Sequence, residues 1–211
     1  MLKVVLVGHN GLGKTSMVSR FTLDVFPLEF IPTVIDGASK SLDLGGVTIN
    51  TVISETVVGE EVYVLRPLLD PGTDVCLVCF DVSDRSSFDD VAGVWVPQIQ
   101  QHTPGVPMVL VGTKSDLRQA SKLTALVSED EATALAERVG CVGYMECSAL
   151  TGENVSNVFE FAVSAGACRE GPDQASNEPR ASGFVLHCVD GFEKSCCFHS
   201  SECQDSIAHA W

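Results

Sequence analysis

Basic residues are scarce in this chain of 211 residues: 13 Lys and Arg stand against 28 Asp and Glu, a formal charge of −15. Such a chain cannot hold nucleic acid or an anionic lipid surface by bulk attraction, so no nucleic-acid partner is expected. Any phosphate ligand must be held by a local site that overcomes the global field. Long apolar runs are missing too. No stretch reaches the roughly 18 consecutive apolar residues of a membrane span, so no transmembrane segment is expected. Residues 1–8 run straight into a strand-like segment with no basic region or cleavage site, so no signal peptide is expected. Regular cysteine spacing is also lacking. Nine cysteines, an odd number, argue against a secreted disulfide framework and for a cytoplasmic protein. Cys76, Cys79 and Cys147 sit in apolar runs and read as buried small hydrophobes. Cys76 and Cys79 form a C-x-x-C inside a strand-like run, where their thiols should not converge on a metal.

What is present is a repeated alternation of strand and helix signals. Residues 2–7 and 107–112 are short apolar strands, and 75–82 (VCLVCFDV) reads as an unbroken apolar strand buried on both faces. Residues 41–44 and 47–53 flank Gly45-Gly46, a hairpin signal. Helices are expected over 14–23, 86–101, 129–139 and 153–167, with a last strand over 142–147. Ser128 and Glu131 form a capping box, and Gly140 is the stop of that helix. Strands alternating with helices predict an α/β fold: a doubly wound, mostly parallel six-stranded sheet with helices on both faces.

Between the first strand and the first helix stands Gly8-His9-Asn10-Gly11-Leu12-Gly13-Lys14-Thr15, which fits G-x-x-x-x-G-K-[ST]. The glycines let the backbone curl so that N–H groups from Asn10 to Ser16 point inward at phosphate oxygens. Lys14 reaches the terminal phosphates, the Thr15 hydroxyl ligates Mg²⁺, and the helix N-terminus adds its positive end. A phosphate loop does not choose a base. Thr113-Lys114-Ser115-Asp116 follows a buried strand and offers a carboxylate to the N1 and exocyclic amine donors of guanine. The Lys114 stem can lie over the ring. Cys147-Ser148-Ala149, after the last strand, offers a backbone N–H to the guanine O6, with Ser148, Ala149 and Leu150 expected at the nucleotide.

With these motifs the chain resembles the Ras superfamily of small GTPases, most closely its Rho/Rac branch, from Leu2 to about Ala167. The resemblance rests further on Phe26-Pro-Leu-Glu-Phe-Ile-Pro-Thr33-Val, Leu65-Arg66-Pro67-Leu68, Thr73-Asp74-Val75, Asp116-Leu-Arg118 and Tyr144-Met-Glu-Cys-Ser148-Ala149-Leu. It implies a P-loop NTPase fold that binds GTP and GDP with Mg²⁺ and hydrolyses GTP as a signalling switch. It places Phe26 against the guanine edge and makes Thr33 the switch residue that closes on Mg²⁺ and the γ-phosphate. Effector and regulatory proteins would dock through Thr33 to Asp36 and Gly59 to Leu68.

Three departures from the family pattern stand out, the first two bearing on hydrolysis. Where the family's second switch begins Asp-Thr-Ala-Gly-Gln, this chain reads Glu55-Thr56-Val57-Val58-Gly59-Glu60. Glu55 takes the place of the metal-shell Asp, with about 1.5 Å more reach. With one inserted residue, Gly59 aligns with the γ-phosphate-sensing glycine and Glu60 with the water-orienting glutamine. A carboxylate there repels the γ-phosphate and lacks the amide donor. Asn10 replaces a loop glycine and crowds the space of a transferring phosphoryl group. Finally, residues 118–128 are too short for the extra Rho helix and read as a plain loop or trimmed insert.

The expected domain is therefore 1–167, followed by a linker and irregular tail over 168–211. From residue 169 on there are three basic and seven acidic residues and no prenylation box. Membrane residence would require acylation of Cys196 or Cys197. His187, Cys188, Cys196, Cys197, His199 and Cys203 match no regular metal-site spacing. Two rival readings are a pseudo-GTPase scaffold that stays GTP-bound and a different phosphate-loop kinase. The kinase reading needs an arginine-bearing lid, for which the sequence shows no signal.

Overall fold

The structure is a computed structural model that describes residues 1–27, 38–58, 63–64, 72–119 and 126–168. Thr33 to Asp36, Gly59, Glu60, Leu65 to Leu68, most of the shortened insert and the whole tail from residue 169 lie outside the described residues.

The elements are β1 (Leu2–Val7), α1 (Lys14–Leu23), β2 (Ala38–Leu44), β3 (Val47–Glu55), β4 (Val57–Val58), β5 (Tyr63–Val64) and β6 (Val75–Asp81). There follow α2 (Arg85–Asp90), a π-helical segment (Val91–Trp95), α3 (Val96–His102), β7 (Met108–Thr113) and a 3₁₀ turn (Ser115–Arg118). The chain then forms α4 (Glu129–Val139), β8 (Gly143–Cys147) and α5 (Val155–Ala167). The main sheet has six strands in the order β2-β3-β1-β6-β7-β8. Only β2 runs antiparallel, joined to β3 by the Gly45-Gly46 turn. β4 and β5 form a separate two-stranded ladder.

Strand periodicity sorts the core into two faces. Leu2, Val4 and Leu6 of β1, with Leu77 and Cys79 of β6, pack against Met17, Val18 and Phe21 of α1 and Val158 and Phe159 of α5. Val5, Val7, Cys76, Val78 and Phe80 pack the other way, against Phe88, Trp95 and Ile99 and against Leu135 of α4. Cys76 and Cys79 thus lie in opposite core layers, as the strand period requires. Each fully buried Leu, Val or Phe here contributes about 1.5–3 kcal/mol.

Two expectations change. The helix expected over 86–101 is interrupted: Val96 N–H donates to Val91 O, five residues back, opening a π turn at residues 91–95. Pro97 lacks the N–H that an α-turn would use, so the helix widens just before it. The last helix starts at Val155 rather than Glu153, because Asn154 is left-handed with φ +57°. The Ser128–Glu131 capping box and the left-handed Gly140 stop are both present in α4.

Candidate functional site

Parallel register gathers the motifs. Leu6 pairs with Glu55, Asp81 with Thr113, and Thr113 with Cys147, so the strands end along one edge of the sheet. The phosphate loop, Glu55, the Thr113–Asp116 turn and the Ser148–Leu150 loop all leave from that edge, where open α/β sheets hold ligands.

Backbone sterics explain the loop's glycines. A side chain on Gly8 would place its Cβ 2.7 Å from the Cys79 carbonyl oxygen of the neighbouring strand. Gly13 caps α1 at φ +88°, a left-handed conformation that favours glycine. Asn10 and Gly11 are exposed, whereas Leu12 turns its side chain into the core. The first helical bond is Met17 N–H to Gly13 O, so the N–H groups of Lys14, Thr15 and Ser16 precede the ladder. Among the described residues no side chain caps this helix, and its first turn holds no acidic residue, so its positive end suits an anion.

Lys14 is only 4% exposed, and its Nζ donates to Gly8 O at 2.8 Å and His9 O at 2.6 Å. Burial lowers its pKa, opposed by the nearby Glu55 carboxylate. Phosphate oxygens would add negative charge beside this buried ammonium. Burial likewise pushes the Cys79 thiol up to about 12, so it stays protonated. The Thr15 hydroxyl faces both oxygens of Glu55, at 2.9 and 2.8 Å. Hydroxyl and carboxylate are hard oxygen donors beside an anion cradle, a set that suits Mg²⁺. Thr33, the third metal residue of the sequence reading, lies outside the described residues.

At the base end, Lys114 is left-handed (φ 61°), and its Nζ lies 2.7 Å from Asp81 Oδ2. Thr113 Oγ1 donates to Phe80 O at 2.9 Å, fixing the strand end. The buried Ser148 hydroxyl donates to Asp116 Oδ1 at 2.5 Å. Within the loop, Ser148 N–H donates to Glu153 O, Thr151 N–H to Ser148 Oγ and Gly152 N–H to Ser148 O. Among the described residues this leaves the N–H groups of Ala149 and Leu150 without a loop acceptor. Arg118 braces the turn through Nε to Glu146 Oε2 at 2.5 Å, and Tyr144 donates to the same carboxylate. Phe26 is half-buried just beyond Asp24, where the chain leaves α1.

Sequence reading missed three participants. Asp81 sits inside a run read as unbroken apolar, yet is buried and paired. A carboxylate within seven otherwise apolar strand and strand-end residues was the available signal. His9 bonds Asp90 at 2.9 Å and stands edge-on to Trp95, contacts that no linear pattern announces. Arg20 reaches the base loop from the phosphate-loop helix. A surface cleft of about 460 Å³ lies at the other ends of the strands, lined by Ile99, Val106, Met108 and Val139, and holds no motif residue. No helix among the described residues is long and apolar enough to cross a membrane.

The family model of the Ras family matches residues 3–166, the phosphate loop, both base loops and the sheet strands from Lys3 onward included, and the chain belongs to this family of small GTPase switches.

Proposed function

We propose that the chain is a Rho-like GTP/GDP switch with slow intrinsic hydrolysis, carried on a domain of residues 1–167. The observation that carries the nucleotide reading is the meeting, on one sheet edge, of the buried Lys14 cradle and the Asp116–Ser148 pair. Small GTPases of this family bind GTP, GDP and Mg²⁺ and engage effectors and regulators. The Rho-like subtype is supported by the Pro32-Thr33-Val34, Leu65-Arg66-Pro67-Leu68 and Tyr144-Met-Glu-Cys-Ser148-Ala149 stretches.

In this reading the N–H groups of Asn10 to Ser16 bind the phosphates, and Lys14 turns from the Gly8 and His9 carbonyls toward their terminal oxygens. Thr15 and Glu55, with Thr33, would hold Mg²⁺, which when bound neutralises charge on the β- and γ-phosphates. Asp116 accepts from the guanine N1–H and amine, Lys114 and Phe26 cover the ring, and Ala149 donates to O6. Gly59 follows the γ-phosphate, while Glu60, lacking an amide donor, orients the attacking water poorly. Asn10 narrows entry to the same phosphate. Effectors and regulators dock at Thr33 to Asp36 and Gly59 to Leu68.

The test is the nucleotide that co-purifies with the protein. GDP supports a hydrolysing switch. Stoichiometric GTP supports the second reading, a scaffold held in the GTP state, which Glu60 and Asn10 favour. Bound adenine nucleotide overturns both.

A further inference from the structure

We propose that Arg20, on the helix that opens at the phosphate loop, is the positioning residue that sets recognition of the guanine O6. The proposal rests on the guanine reading above and adds a residue that neither the phosphate nor the base motif contains.

Arg20 lies six residues beyond Lys14 on α1. Its Nε donates to Ala149 O at 3.0 Å and its Nη2 to Leu150 O at 2.9 Å. The third arm, Nη1, donates to Asp24 O at 3.1 Å and lies 3.5 Å from the Asp24 carboxylate. The planar guanidinium therefore joins the C-terminal end of α1 to two successive carbonyls of the base loop. A Cβ added at Gly152 would lie 3.7 Å from Arg20 Cδ, so the loop passes close to the same side chain.

The consequence follows from peptide geometry. Fixing the Ala149 carbonyl fixes the peptide plane that carries the Leu150 N–H, and fixing the Leu150 carbonyl fixes the plane that carries the Thr151 N–H; the plane of the Ala149 N–H is set by the Ser148 carbonyl, which accepts from Gly152. The loop's internal bonds use the N–H groups of Ser148, Thr151, Gly152 and Glu153. Among the described residues the N–H groups of Ala149 and Leu150 have no acceptor within the loop and remain for a ligand oxygen. Leu150 is 54% accessible, so an anchor from outside the loop adds to its internal bonds in preorganising it. Two charge-assisted hydrogen bonds in the fixed fork of one arginine are such an anchor, and a lysine could not span both carbonyls. Asp116 is anchored separately, by Ser148 and the 3₁₀ turn. Ser148 is itself tied within the loop, to Glu153 and Gly152, so the Asp116 half of base recognition does not bond Arg20 directly.

The experiment measures affinities of the full chain and its Arg20→Ala variant for GDP, IDP and 6-thio-GDP. IDP lacks the exocyclic amine that Asp116 reads. 6-Thio-GDP keeps that amine and N1–H but replaces O6 by a poor acceptor. Arg20→Ala is expected to weaken GDP about tenfold. It should shrink the GDP preference over 6-thio-GDP while leaving the preference over IDP intact. Arg20→Gln, which keeps one donor, should fall between, and serves if the alanine variant does not fold. Equal weakening of all three nucleotides, or no weakening, overturns the proposal. An unmutated protein that does not prefer GDP to IDP overturns the guanine reading itself.

Discussion

The Thr15 hydroxyl and the Glu55 carboxylate, 40 residues apart in sequence, meet at 2.8–2.9 Å at the mouth of the phosphate loop. Parallel pairing of β1 with β3 puts Glu55 beside Leu6, two residues before the loop begins, and the longer glutamate side chain spans the remaining gap. Glu55→Gln preserves bulk and one acceptor but removes the charge. Mg²⁺ should then slow nucleotide release about tenfold less than in the unmutated protein. Release of a fluorescent GDP with and without chelator gives the ratio. An unchanged ratio would remove Glu55 from the metal site.

Guanine selectivity should depend on Asp116. Ser148 occupies Oδ1, so the carboxylate is held in one orientation with its other lone pairs open. Asp116→Asn exchanges an acceptor for a donor and should lower GTP affinity by on the order of 10–100-fold while favouring XTP. Competition among GTP, XTP and ATP measures this. If ATP competes as well as GTP against the unmutated protein, the base assignment is wrong.

The Lys114–Asp81 pair should appear in acid. Burial alone would raise the Asp81 carboxyl, but hydrogen bonds from Lys114 and from the Ser83 hydroxyl and N–H outweigh it and hold it below the ordinary 3.8. A carboxyl lowered in the folded state stabilises fully above the unfolded value. That contribution is lost as pH falls through 3.8 and then through the lower native value. Asp81→Asn should cost on the order of 1 kcal/mol at neutral pH, discounted for the partly exposed lysine, and should flatten the fall of Tm at acid pH. Parallel Tm curves for the two proteins would contradict the pairing.

Hydrolysis should improve when the two unfavourable groups are replaced. Positioning and charge stabilisation supply nearly all the catalysis in this reaction, and roughly 10³–10⁵ of the stimulated rate depends on one arginine finger. Asn10→Gly with Glu60→Gln should raise single-turnover phosphate release from preloaded GTP. Asn10→Gly alone should restore sensitivity to an activator that docks. Fast turnover in the unmutated protein, not improved by the double change, would make Glu60 a working base or a bystander.

A chain ending at Ala167 should fold and bind GTP like the full chain, because α5 closes the first core layer by that residue. Thermal melts and GTP titrations of the two lengths decide it. Insolubility or weakened binding would show that the tail packs on the domain.

Much of this protein is determined locally. The order of strands and helices was legible because apolar period and turn residues act over a few positions: Gly45-Gly46, the Ser128–Glu131 box and Gly140 each work within one turn. The phosphate loop was legible because curling a backbone around an anion demands glycines at fixed spacing, and T-K-x-D because the base is read by one short turn. The sequence also told Cys76 from Cys79 by strand parity alone.

Tertiary structure decided the pairings across the sheet edge. Nothing local in VCLVCFDV announces that Asp81 is an ion-pair partner of Lys114; that needs β6 and β7 in register, Asp81 opposite Thr113. Pro97 stood in view in the sequence, but whether a proline kinks, ends or widens a helix depends on what packs behind it. Here Trp95 and Ile99 are buried in the second core layer, so the helix continues through a π turn. The reach of Arg20 to Ala149 and Leu150 is of the same kind, a bond between positions 129 and 130 residues apart. Local sequence sets backbone preference over a few residues, whereas contacts of that range exist only once packing has closed the sheet and fixed which strand ends are neighbours.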